Sequence, residues 1–121
     1  MHLRDPIRAL EAIRTVCGGS FLSSEQIDAE LTLLHPRQPV TQLRHIGDQM
    51  QWHVPNAAAH RQMVWGAGFR IERQTKPFAI AFGPAHPPVT GGWRGARRRL
   101  VCRRVTGGFG VPHAAVLAAP A

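Results

Sequence analysis

Apolar positions along the chain mark two helices and a strand clearly, and leave one long stretch without a period. Asp5 is a good helix N-cap, and Pro6 suits the first helical position, where its missing N–H leaves nothing unsatisfied. Ile7, Leu10, Ile13 and Cys17 then recur at helical spacing, with Arg8, Glu11, Arg14 and Thr15 on the outer face and Gly18-Gly19 to stop the turn. This predicts a helix over 6–17. Residues 20–25 read as a short strand whose poor alternation fits burial on both faces. Residues 26–54 show only the patch Leu31, Leu33, Leu34 between the breakers Pro36, Pro39 and Gly47, and read as a long excursion. A second helix is expected over 56–67, capped by Asn56, with Ala59, Met63 and Ala67 on one face and Gly68 to end it. Phe69 to Arg73 alternates strictly and reads as a strand, which the run 78–82 extends beyond a kink at Pro77. Residues 83–110 form a Gly/Pro/Arg-rich insert, as a loop or a short basic helix over 94–105, and 111–117 is a last apolar strand.

Composition adds constraints. The 121 residues suffice for one small domain, and 44% hydrophobic against 18% charged residues provides material for a core. No run of about 18 apolar residues exists, so a membrane span is not expected. Met1 to Pro6 is not followed by the apolar segment of a secretory signal, which leaves the cytoplasm as the expected compartment. Cys17 and Cys102 have no second ligand at zinc spacing, so no metal site is expected, and two buried thiols are favoured over a disulfide between them. The net charge of +8 is concentrated in one segment. Residues 1–85 carry eight Arg and one Lys against seven acids, whereas residues 86–121 carry six Arg and no acid.

The order helix, strand, long loop, helix, strand, basic insert, strand resembles the second half of a class I, Rossmann-type, S-adenosylmethionine-dependent methyltransferase. The chain begins Met1-His2-Leu3-Arg4-Asp5-Pro6, which resembles the family's Tyr-His-Leu-Arg-Asp-Pro after strand 4. The stretch Gln49-Met50-Gln51-Trp52-His53-Val54-Pro55-Asn56, leading to Ala67-Gly68-Phe69, is similar to that in relatives of the tRNA wobble-uridine carboxymethyltransferases. The resemblance covers roughly residues 2–82 and 111–118, and implies an incomplete α/β sheet of helix D, strand 5, helix E, strand 6 and antiparallel strand 7. It further implies that the strand near 111–117 runs antiparallel between those near 20–25 and 69–73, with both helices on one face. The glycine-rich turn and acidic strand end that hold S-adenosylmethionine in the family are expected to be missing, because the resemblance starts after strand 4, and the glycine clusters 18–19, 91–92 and 107–110 follow a helix or sit in the insert. The chain alone is therefore expected to bind no cofactor and to be inactive. Met1 at the place of the family's Tyr suggests a truncated frame or internal start. Without strand 4, an open sheet edge is expected to drive self-association.

Candidate site residues follow from both readings. His2 stands after the implied strand 4 end, where open α/β sheets place ligands. Glu25 ends the first strand at the same edge and is the candidate catalytic group, as a base or as an orienting carboxylate. Trp52, His53 and Asn56 are implied as a wall of the pocket for an unidentified methyl acceptor, with Asn56 also serving as a helix cap. Arg97, Arg98, Arg99, Arg103 and Arg104 support a rival function: a small basic protein that binds nucleic acid or another partner through the insert. On a helix these arginines divide over two faces without interleaved aromatics, so a solvated basic face is favoured over nucleic acid.

Overall fold

The computed structural model describes residues 3–43, 51–85 and 91–121. The first helix, α1 (Pro6–Val16), starts as its residues dictate: the Asp5 carboxylate accepts from the Arg8 N–H at 3.0 Å. Strand β1 (Phe21–Gln26) follows. The excursion expected after it is more structured than a loop. Asp28 caps a short helix α2 (Ala29–Leu34), and strands β2 (Thr41–Leu43) and β3 (His53–Pro55) pair antiparallel. Elements of three to six residues carry too few apolar positions to show a period, and α2 buries none of its residues.

Helix α3 (Ala57–Gly66) leads to β4 (Phe69–Gln74) and β5 (Phe78–Ile80), and a longer α4 (Gly92–Thr106) precedes β6 (Val111–Pro120). Gly68 closes α3 at φ 87°, and a Cβ there would press on the Arg14 side chain at 2.9 Å. The insert expected over 83–110 is thus a helix through half its length.

Strand β6 is the centre of the main sheet. It pairs antiparallel with β1 on one side, from Phe21↔Ala118 to Gln26↔His113, and antiparallel with β4 and β5 on the other. β1 and β4 therefore run parallel to each other with β6 inserted between them, the arrangement expected from sequence. β4 and β5 act as one bent strand. The register slips at Ile71/Arg73, and again where four steps from Gln74 to Phe78 span three on β6. Thr75 bridges the second slip. Its N–H donates to the Ala115 carbonyl at 2.9 Å, and its hydroxyl accepts the Ala115 N–H at 3.0 Å. Pro112 is tolerated in a central strand because β1's ladder has ended there, leaving its carbonyl to accept from the Ile27 N–H.

Helices α1 and α3 cover one face. Leu10, Val64, Ala67, Phe69, Val116 and Ala118 form the buried cluster, and the rings of Phe21 and Phe69 stack with centroids 4.8 Å apart. Ala118 lies directly opposite both Phe21 and Ile71, and its single methyl leaves room for that stack. The expected packing of α1 is only partly realised: Leu10 is buried, but Ile7 and Ile13 are 41% and 40% exposed. The opposite face is largely open around Leu22, which is 67% exposed, and Ser24 and Arg70 are exposed as well. Among the described residues no helix is long and apolar enough to cross a membrane.

Candidate functional site

Parallel β1 and β4 point their carboxyl ends the same way, so the chain crosses that edge between Gln26 and α2 and again on entering α3. Glu25 and Gln26 end β1 with side chains on opposite faces, as strand alternation requires. Glu25 is half-buried on the helix-covered side, opposite buried Ala114. Gln26 lies on the other side, where its Oε1 accepts from Gln51 Nε2 at 2.9 Å. The segment 51–56 is thereby drawn over the end of β1. It is fixed again where the Asp28 N–H donates to the Pro55 carbonyl at 2.8 Å and the Ala57 N–H donates to the Thr32 hydroxyl at 3.2 Å.

Trp52 and His53 meet the start of the chain at this edge. The Arg4 guanidinium lies 5.1 Å from the Trp52 ring centre, within range of a cation–π contact. His53 Nε2 lies 3.1 Å from the Arg4 carbonyl oxygen. A carbonyl only accepts, so this nitrogen carries the proton. Both rings are half-buried. Together they place an aromatic ring, a cation and an imidazole beside a strand end. His2 lies outside the described residues.

Asn56 serves a different purpose. It is fully buried, and every hydrogen-bonding position of its amide is used. Its Oδ1 accepts from the Ala59 N–H at 2.8 Å, which caps α3, and from the Val40 N–H at 3.1 Å. Its Nδ2 donates to the carbonyls of His35 and Gln38, both at 2.8 Å. The amide locks the 35–40 turn onto the start of α3, and no polar atom of it is left over for a ligand.

Two further groups escaped the sequence reading. His60 is fully buried on α3, with Nε2 2.8 Å from the Ser23 hydroxyl of β1. Burial pushes its pKa down from 6.5 to about 4, so the ring is neutral at physiological pH and ties helix to sheet. The signal was present: Ala57, His60, Val64 and Ala67 sit at helical spacing, and histidine occupies an apolar position among them. Arg4 is the other, placed over Trp52 by its position just ahead of α1.

The five arginines of the basic insert all lie on α4, whose buried residues are Gly95 and Cys102. Arg97 pairs with Glu30 on α2, and Arg98, Arg99, Arg103 and Arg104 are exposed. They surround the outer arc of the helix and do not form one stripe. Among the described residues no group of three or more His, Cys, Asp or Glu is placed to hold a metal ion. No family model matches the chain, and neither a curated protein nor a solved structure matches it.

Proposed function

We propose that these residues form the C-terminal portion of a class I S-adenosylmethionine-dependent methyltransferase domain. In this reading α1 is helix D, β1 is strand 5, α3 is helix E, β4 with β5 is strand 6, and β6 is strand 7. The observation that carries it is the insertion of antiparallel β6 between parallel β1 and β4. An ordinary doubly wound domain adds its last strand in parallel at an edge. The open face around Leu22 and the outer edge of β1 are where the rest of such a domain would pack.

The residues present do not fit the cofactor itself. The turn from β1 to α2 is Ile27-Asp28, without glycine, and Gly18-Gly19 follow a helix and precede a strand. No transfer step is therefore assigned to this chain alone. Its share is the acceptor side of the site: Trp52 and His53 as wall, Arg4 over the Trp52 ring, and Glu25 at the strand end as the group that orients the acceptor or takes its proton. A cytoplasmic setting is proposed with it, in keeping with the free thiols of Cys17 and Cys102.

The test is a hybrid in which the cofactor-binding half of a class I methyltransferase, through its strand 4, is joined ahead of Leu3. Calorimetric titration should show S-adenosylmethionine binding by the hybrid and none by residues 1–121. A hybrid that melts cooperatively yet gives no heat of binding would remove the reading.

A further inference from the structure

Helix α4 is charged against itself. Arg94 and Arg98, and Arg99 and Arg103, are like-charge neighbours one turn apart, and Arg94 and Arg97 stand three residues apart. Nothing at the N-terminus compensates: Gly91 offers no side-chain cap, and the first turn holds no acid. Residues 86–121 contain no Asp or Glu. Among the described residues Glu30, which pairs with Arg97, is the anion that meets this helix. The like charge on the remaining arginines is left to solvent, and an external polyanion would relieve it.

We infer that α4 is a docking surface for the phosphate backbone of a nucleic acid. At about 1.5 Å per residue its 15 residues reach about 22 Å. That matches about six phosphates of one strand, spaced about 3.4 Å along a duplex axis. Arginines on both flanks and on the crest of the exposed arc suit contacts with a backbone, and are ill suited to reading base edges from one stripe. A membrane surface fits less well. Trp93 and Leu100, 69% and 71% exposed, lie among the arginines and do not form a separate apolar face. α4 packs on α2, which begins just past the carboxyl end of β1, so the surface borders the edge described above. The inference stands whether or not the domain is a methyltransferase.

The test measures binding of a labelled RNA hairpin, and of its DNA counterpart, to residues 1–121 across a salt series. With four arginines engaged, affinity should fall on the order of 100-fold between about 50 and 200 mM salt. The triple variant R99Q/R103Q/R104Q should bind at least about tenfold more weakly, with a shallower salt slope, since each lost phosphate contact removes about 0.9 from it. The control R8Q/R61Q/R73Q removes the same charge from other exposed positions and should bind within about twofold of the parent. The α4 variant should melt no lower than the parent, because like-charge pairs have been removed. Equal weakening by both triple variants, a lower melting point for the α4 variant, absence of saturable binding, or binding to anionic phosphatidylserine vesicles in place of RNA and DNA would each overturn the proposal.

Discussion

Asn56 offers the sharpest energetic test of how the excursion is held. Asn56→Ala removes four hydrogen bonds from a fully buried site: the cap to Ala59, the bond from Val40, and the pair to His35 and Gln38. At about 1 kcal/mol net for each bond, the loss is about 4 kcal/mol. Domain stabilities are about 5–15 kcal/mol, so the loss removes between about a quarter and four-fifths of the total. Asn56→Ser keeps a hydroxyl for the cap but cannot reach the 35–40 turn, and should recover only about 1 kcal/mol relative to alanine. Asn56→Asp keeps the volume and the cap while presenting an oxygen to two carbonyls 2.8 Å away, so it should destabilise despite being isosteric. Urea denaturation followed by far-UV circular dichroism at constant m-value reads all three. If Asn56→Ala costs less than about 1 kcal/mol, or if Asn56→Ser restores the parent midpoint, the amide is only a cap and the turn is held by something else.

Three more outcomes follow from the packing. His60 is neutral when folded, with a pKa near 4 against 6.5 when exposed, so stability is fully present above pH 6.5 and is lost as pH falls from 6.5 towards 4. That loss approaches about 3 kcal/mol, and His60→Gln should flatten the pH dependence of the urea midpoint; an unchanged slope would exclude His60 as its source. A Cβ on Gly110 would overlap the Ile80 carbonyl, so Gly110→Ala should destabilise by about 2 kcal/mol in the same assay, and a neutral result would show that the β5–β6 contact is loose. Sedimentation should show concentration-dependent association through the β1 edge, reduced by Leu22→Lys, whereas a parent monomeric at every concentration would refute the open edge.

The long elements were legible because period and caps agreed. Asp5-Pro6 and Asn56 marked helix starts that the structure retains, and Gly68 marked a stop. The alternation of 69–73 and the kink at Pro77 foretold a strand in two pieces on one side of β6. The excursion was not legible, because α2, β2 and β3 are held by partners distant in sequence. The three bonds from Asn56 to the 35–40 turn and the Gln26–Gln51 pair cannot be read from local pattern. Helix α4 was half legible: Gly91-Gly92 and the arginine run hide a period, and its buried side is only Gly95 and Cys102. At the candidate site, Trp52 and His53 were singled out together and are together, but their partner Arg4 is 48 residues from Trp52 in sequence and carried no local signal.

The order of strands in the main sheet bears most of the functional reading, and nuclear Overhauser contacts in isotope-labelled protein measure it directly. Val116 should show cross-strand backbone contacts to both Ser23 and Gln74, and Ala118 to both Phe21 and Ile71, all in the antiparallel pattern. Contacts from β6 to only one of these neighbours, or a parallel pattern to either, would place it at an edge or reverse it, and would contradict the proposed methyltransferase reading.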